Sequence, residues 1–211
     1  STGLVGSEMC IRDSDNIEIP VCPTPTIGML GIVEDKSHIT SLSFNSEKDL
    51  IFLIGTSKNN ISCSEYLTSF HKIKESSTPE FCLDTEFKIQ EAVKNLIRKN
   101  LIKSAHDVSD GGLFICLVES CIDKNFGFHI NGEKSIRDDA FLFGESPSRI
   151  IVSVSKSKEN NFVKHLESEK VDFRLIGSVT SGEISYNDVS FGDIKDYKSL
   201  YENSLSDRMN S

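Results

Sequence analysis

The sequence predicts an α+β fold in which a mixed sheet is covered by helices. Three observations predict it: short apolar runs typical of strands recur along the chain, segments with helical spacing lie between them, and the two kinds of segment alternate irregularly. A chain of 211 residues can bury about 70% of its unfolded surface, so one core needs no disulfides. One domain with a short N-terminal remnant is the simplest organisation.

The strands are predicted from apolar runs that end at glycine, proline or acidic residues. They span residues 26–33, 49–55, 102–107, 126–130, 149–155, 173–179 and 183–186, with 39–44 as a weaker strand or loop. Residues 15–25 contain three prolines, which favour extended loop structure.

The helices are predicted from apolar residues at helical spacing. They span residues 85–100, 113–122, 157–170 and 196–204, and the second is apolar almost all round, which indicates a central helix. Asp84 is the expected N-cap of the first, and Asn100 is expected in the left-handed conformation at its end. Ser62–Glu65 has the capping-box pattern and predicts a short helix that reaches His71.

Composition excludes several classes of function. The chain has 23 Lys+Arg and 32 Asp+Glu, a formal charge of -9, and no basic stripe of the kind that binds nucleic acid. The sequence contains no run of 18 apolar residues, which is the length that would indicate a membrane span. The six cysteines form no C-x-x-C pair, which disfavours zinc; most are expected to be small buried side chains in a reducing, cytoplasmic setting.

The first candidate site is the segment SAHDVSDGG, residues 104–112. Two glycines open a helix whose free N–H groups favour anions, and Asp107 and Asp110 are placed to hold a divalent cation that bridges phosphates. The alternative is structural: Asp110 caps the helix, and Gly111 and Gly112 pack against a neighbouring element. His106 is either a general base or, more simply, a histidine satisfied inside the fold.

The second candidate site is the turn FGESPSR, residues 143–149. Glu145 and Ser146 could point into a cleft, with Arg149 as a partner for phosphate or carboxylate. The alternative is a tight turn with Arg149 on the surface. In the segment 23–35, the spacing of Gly28 and Gly31 matches neither a Walker loop nor a dinucleotide fingerprint, and a close strand or subunit contact explains it better.

Five segments together are more specific than any one of them. They are, in order, PTPTIGMLGIVED, SCSEYL, SAHDVSDGGL, LFGESPSRIIVSV and LIGSV. In this order they resemble the phosphoribosylformylglycinamidine synthase family, and residues 16–204 resemble the C-terminal end of its members. HDVSDGGL alone recurs in the wider superfamily of aminoimidazole ribonucleotide synthetases. The resemblance implies a PurM-like C-terminal domain at 36–211, with 15–35 as the tail of a preceding lobe. Residues 1–14 look like a translated sequencing adapter, the alternative being a native N-terminus.

The resemblance also implies a reaction. Enzymes of this family are ATP- and magnesium-dependent C–N ligases of purine biosynthesis that convert formylglycinamide ribonucleotide and glutamine to the amidine. The expected partners are the N-terminal lobes of the same enzyme and, in the short bacterial form, a glutaminase subunit and a small accessory subunit. The family's catalytic histidines lie in earlier lobes, so this chain is expected to hold no catalytic residue and to be inactive alone.

The resemblance assigns roles to five residues. Asp107 corresponds to a magnesium ligand, and with Gly111 and Gly112 it would form an auxiliary site for nucleotide phosphate. Glu145 and Ser146 correspond to substrate contacts in the pseudo-symmetric half of the enzyme, although a proline follows them here where a glutamine is common. Two other functions stay open: a lobe of another superfamily enzyme, or a non-catalytic module that packs against a partner.

Overall fold

The computed structural model describes residues 12–14, 17–19, 28 and 30–210, which divide into two compact units at Glu34 and Asp35. In the first unit, Arg12–Ser14 (β1) and Ile17–Ile19 (β2) form an antiparallel pair. The prediction of loop is therefore wrong at Ile17–Ile19, where the I-E-I alternation suits a strand. Part of the predicted strand 26–33 lies outside the described residues, and its described part (28 and 30–33) is not in a strand.

The second unit is built on a seven-stranded sheet. Its strands are Leu50–Ile54 (β3), Ser104–Asp107 (β4), Gly127–Ile130 (β5), Ile150–Val154 (β6), Phe173–Thr180 (β7), Glu183–Tyr186 (β8) and Val189–Asp193 (β9). They lie in the order β4-β6-β3-β7-β5-β8-β9. Only β5 and β8 are parallel neighbours in this sheet, so the predicted mixed sheet is confirmed. β9 has no predicted counterpart, because all five of its residues are exposed and it lacks an apolar run.

Five helices cover the sheet: Leu83–Arg98 (α1), Gly112–Ile122 (α2), Asp138–Phe143 (α3), Glu159–Glu169 (α4) and Ile194–Asn210 (α5). The N-cap of α1 is Cys82, so the prediction of Asp84 as the cap is wrong. Asp84 lies in the first turn, where its carboxylate still interacts favourably with the helix dipole. Asn100 has φ +53°, which confirms its predicted left-handed conformation.

The short helix after residue 62 differs from its prediction. Tyr66–Phe70 form one turn of π-helix, and the hydroxyl of Ser64 accepts the Leu67 N–H at 3.1 Å. The N-cap residue is Glu65 and Ser64 accepts one N–H of the turn, so the prediction of Ser62 as the cap is wrong. Among the described residues, no helix is long and apolar enough to cross a membrane.

The core has two halves, one on each face of the sheet. Ile51 and Leu53 of β3 pack with α2, α3 and α5, whereas Phe52 and Ile54 pack with α1 and α4. A strand covered on both faces needs apolar side chains at successive positions, which explains the continuous run LIFLI. The three-layer arrangement follows from this run.

A histidine joins the two helices on one face. His165 of α4 is buried, and its Nδ1 lies 3.1 Å from Nζ of Lys99 at the end of α1. Its Nε2 is buried with no hydrogen-bond partner among the described residues. Burial, and then the charge of Lys99, lower the pKa of His165 below its ordinary value.

We expect the free energy of unfolding to fall as the pH drops below about 6.5, the ordinary pKa of histidine. The unfolded chain then binds a proton that the folded chain takes up only at lower pH, and the linkage favours unfolding. His165→Gln keeps an acceptor for Lys99 and should flatten this part of the profile. Urea unfolding between pH 7.5 and 5.5 measures it, with exposed His71→Gln as control. Equal slopes for the wild type and His165→Gln would contradict the prediction.

Candidate functional site

The two sequence-predicted sites lie side by side at one end of the sheet. Strand β4 ends at Asp107 and pairs antiparallel with β6, which begins at Ile150. Beyond the pair, the Val108 N–H donates to the carbonyl of Arg149 at 2.9 Å. The loop that leads into α2 and the turn that leads into β6 are thereby neighbours.

The carboxylate of Glu145 joins three chain segments. Its Oε1 accepts the N–H of Gly111 at 2.7 Å and the N–H of Glu65 at 2.8 Å. Gly111 stands at the start of α2, and Glu65 precedes the π-helix, 80 residues away from Glu145. The amide of Glu65 was not among the predicted site groups, although it belongs to the SCSEYL segment that carries part of the resemblance.

The two glycines are required by the backbone. Gly111 and Gly112 have φ +82° and +72°, a region that favours glycine. A Cβ on Gly112 would lie 2.8 Å from the backbone of Leu142 and Phe143, so α2 packs directly on the end of α3 there. The alternative of glycines that pack against a neighbour is confirmed at this position. The N-cap is Gly111, so the prediction of Asp110 as the cap is wrong.

Arg149 is buried and holds the turn that carries Glu145. Its Nη2 donates to the carbonyl of Gly144 at 2.6 Å, its Nε to the carbonyl of Ser146 at 2.9 Å, and its Nη1 to the hydroxyl of Ser57 at 3.4 Å. Burial lowers the pKa of Arg149 to about 10, which leaves the guanidinium charged at neutral pH. Arg149 lies in the interior, so the alternative of a surface arginine is wrong. Its hydrogen bonds go to two carbonyls and a hydroxyl, and its role as a partner for phosphate or carboxylate stays a prediction.

The serines of the same turn have different surroundings. Ser146 is 3% exposed, whereas Ser148 has φ +61° and donates its hydroxyl to Oε2 of Glu86 at 2.6 Å. A substrate contact by Ser146 stays a prediction, and it would need the turn to open.

His106 and Asp107 occupy the end of β4. His106 is half-buried between the hydroxyl of Ser120 (3.2 Å) and a carboxylate oxygen of Glu119 (3.6 Å), which confirms a histidine satisfied inside the fold. Asp107 is exposed, and its carbonyl accepts the thiol of Cys116 at 3.3 Å.

The cysteines divide evenly where the structure describes them. Cys116 and Cys121 are buried, and desolvation raises the pKa of both thiols. Cys63 and Cys82 are exposed, against the prediction that most are buried, and Cys10 and Cys22 lie outside the described residues.

The contacts of the described residues bear on the predicted nucleotide and metal site. No three His, Cys, Asp or Glu side chains among them are grouped so as to hold a metal. Magnesium often uses one or two carboxylates with phosphate and water, so Asp107 as its ligand stays a prediction. The N–H of Gly111 is taken by Glu145 and that of Gly112 by the carbonyl of Ser109 at 3.0 Å. In this arrangement these two amides do not fit a bound phosphate.

Comparison with protein families identifies the domain. Residues 47–188 match the family model described as AIR synthase related protein, C-terminal domain. The chain belongs to this family. The match spans β3 to β8 and includes both candidate segments.

Curated relatives of this AIR synthase related domain are much longer proteins. The chain is 38% identical to phosphoribosylformylglycinamidine synthase subunit PurL of Thermoanaerobacter pseudethanolicus, over 82% of this chain and 24% of the relative. It is 34% identical to the PurL subunit of a Prochlorococcus marinus strain, over 93% of this chain and 28% of the relative. The chain thus spans about a quarter of the length of these relatives.

Solved structures share the fold of this domain. T. maritima PurL complexed with FGAR has a TM-score of 0.66 at 14% identity, over 77% of this chain and 30% of that one. T. maritima PurL complexed with ATP has a TM-score of 0.59 at 13% identity, over 76% and 27%, and T. maritima PurLQS one of 0.58 at 14% identity, over the same shares. These likenesses confirm the predicted α+β fold of the PurM-like C-terminal type.

We expect Gly112→Ala to lower the free energy of unfolding by about 2 kcal/mol or more, because it adds a backbone collision to a positive φ. Gly192→Ala is the matched control: it also has a positive φ (+98°), but its Cβ would meet only Asp196, at 3.8 Å. This control should cost about 1 kcal/mol. Urea unfolding of both variants measures the difference, and equal losses would contradict the packing of α2 on α3.

We expect Arg149→Met to lower the free energy of unfolding by about 2–4 kcal/mol, because it leaves the carbonyls of Gly144 and Ser146 without donors in the interior. Arg137→Met is the control, since it removes a surface ion pair with Asp139, and such pairs contribute little to stability. Thermal and urea unfolding of both variants measure the losses. An Arg149 variant no less stable than the Arg137 variant would contradict the role of Arg149 in the turn.

Proposed function

We propose that the chain is a lobe of a phosphoribosylformylglycinamidine synthase, the ATP- and glutamine-dependent ligase that makes formylglycinamidine ribonucleotide in purine biosynthesis. The observation that carries the proposal is the 38% identity to a PurL subunit over 82% of this chain. A lobe of another superfamily enzyme is less well supported: the HypE–HypF complex has a TM-score of 0.51, against 0.66 for PurL with FGAR.

In this proposal the reaction takes place in the cytoplasm, in an enzyme that uses ATP and Mg2+ and whose catalytic groups come from other lobes. The likeness to T. maritima PurL complexed with ATP supports the use of ATP, and the likeness to PurLQS supports further components of the enzyme. A glutaminase subunit and a small accessory subunit are the components proposed. Residues 36–211 would form the domain, 15–35 the tail of the preceding lobe, and 1–14 a non-native segment.

Exposure and hydrogen bonding separate the residues of the proposed site. Asp107 is exposed at the end of β4 and is the proposed metal-facing group. Glu145 is half-buried and already accepts two N–H groups, and Ser146 is buried. Their roles toward substrate are proposed only for a turn that opens in the complete enzyme. The described contacts also favour a second candidate, a lobe whose part at this turn is packing.

A chimeric enzyme tests the proposal. Residues 36–211 of this chain replace the matching segment of T. pseudethanolicus PurL, and amidine formation is assayed with ATP, magnesium and ammonia. We expect product from the chimera and none from the 211-residue chain alone, because one lobe lacks the family's catalytic histidines. The unmodified relative and the relative without this segment are the two controls.

A folded, soluble chimera without activity would contradict the proposal, and turnover by the isolated chain would contradict the placement of the catalytic groups elsewhere. Circular dichroism and size exclusion establish whether the chimera is folded. Asp107→Asn in the active chimera should raise the magnesium concentration needed for half-maximal rate. An unchanged magnesium requirement would leave Asp107 without the proposed role.

A further inference from the structure

The start of α2 already has an anion. Unpaired N–H groups and the helix dipole favour a negative charge at a helix start, which is why phosphates bind there in many proteins. Here the Gly111 N–H lies 2.7 Å from Oε1 of Glu145, a distance typical of a charge-assisted hydrogen bond. The same oxygen accepts the Glu65 N–H at 2.8 Å.

The carboxylate is held in place by the turn around it. Arg149 binds the carbonyls of Gly144 and Ser146 on either side of Glu145, and its charge attracts the carboxylate. A Cβ on Gly144 would lie 2.4 Å from the carbonyl of Ala140 and 2.5 Å from that of Asn60, so the backbone there is closely packed. The backbone on either side of Glu145 is therefore held in place, which favours the position from which the carboxylate reaches the Gly111 amide.

We propose that Glu145 is the built-in anion of this lobe and keeps a phosphate group from the Gly111 amide. The phosphate part of the inference rests on the proposed function, since the resemblance is what places a phosphate at this helix. The bridge itself rests on contacts within this chain. A phosphate can bind the Gly111 amide only if it displaces the Glu145 carboxylate. That displacement also removes the acceptor of the Glu65 amide.

The Glu145 carboxylate thereby connects two parts of the fold. An acceptor that bridges two backbone amides is a positioning group, because its bonded oxygen is satisfied within the fold. The loop before α2 and the start of the π-helix are tied together as long as the Glu145 carboxylate is in place. The same carboxylate oxygen therefore occupies the Gly111 amide and joins these two segments.

Anion rescue tests the proposal on the 211-residue chain. Glu145→Ala removes the carboxylate and leaves space and two free amides, whereas Glu145→Gln keeps an oxygen acceptor without charge. Melting temperatures are measured for the wild type and both variants in sodium phosphate, sodium formate and sodium chloride of equal ionic strength. Glu133→Ala is the control, because it loses only contacts near the surface, an ion pair with Arg174 and a hydrogen bond from the hydroxyl of Ser135.

We expect Glu145→Ala to melt about 5 °C lower than the wild type in chloride, and Glu145→Gln to lie between them. Phosphate and formate should each restore part of the loss in Glu145→Ala, and should raise its melting temperature more than those of the wild type and Glu133→Ala, which show only the general effect of the salt. If Glu145→Ala does not fold, phosphate should still stabilise Glu145→Gln more than the wild type.

Three results would overturn the proposal. Phosphate that stabilises the wild type more than the Glu145 variants would mean that the amide is open and that Glu145 assists the ligand. A Glu145→Ala variant as stable as the wild type would mean that the hydrogen bonds to the Gly111 and Glu65 amides do not contribute to stability. A loss of stability that neither anion restores would mean that Glu145 acts by packing alone. None of these results depends on ligase activity, so failure of the chimera and failure of the rescue remain distinct.

Discussion

The two hydrogen bonds that the Glu145 carboxylate accepts hold together the end of the domain at which the candidate site lies. Backbone N–H and carbonyl groups in a protein interior need partners, and a connection that passes between packed elements leaves several of them unpaired. Here one carboxylate satisfies the amides of Gly111 and Glu65, and one guanidinium, that of Arg149, satisfies the carbonyls of Gly144 and Ser146. The two side chains have opposite charge and lie in one turn, so each requirement is met by the same short segment.

The sheet makes this arrangement possible. β3 and β6 are covered on both faces and pair antiparallel, which brings the end of β3 next to the start of β6. At that end a Cβ on Gly55 would lie 2.1 Å from the carbonyl of Ser148, so the two chain segments touch through their backbones. The turn before β6 is therefore placed by the sheet, and its side chains reach the start of α2 without a long loop.

The sequence is informative where physical constraints are local. Apolar runs predict β3 and β6, and helical spacing predicts α1, α2 and α4, because burial of successive residues leaves a direct pattern. Helix starts are less well predicted, since Cys82, Glu65 and Gly111 are the N-caps where other residues fit the usual patterns better. β9 is missed because its stability comes from pairing with β8 and not from buried side chains of its own.

The roles of Arg149 and Glu145 could not be predicted for a different reason. Glu145 depends on the amides of Glu65 and Gly111, which are 80 and 34 residues away in sequence. Arg149 turns inward to the carbonyls of its own turn, a direction that the motif does not indicate. The letters of a motif show which chemical groups are available, and here they do show a carboxylate close to a glycine-rich helix start. Whether the amide meets a ligand or a side chain is decided by the turn geometry, since a carboxylate and a phosphate satisfy an N–H in the same way. In this domain the turn places the Glu145 carboxylate against the Gly111 amide. The glycine-rich motif, which predicts a ligand site, therefore joins three segments of the domain.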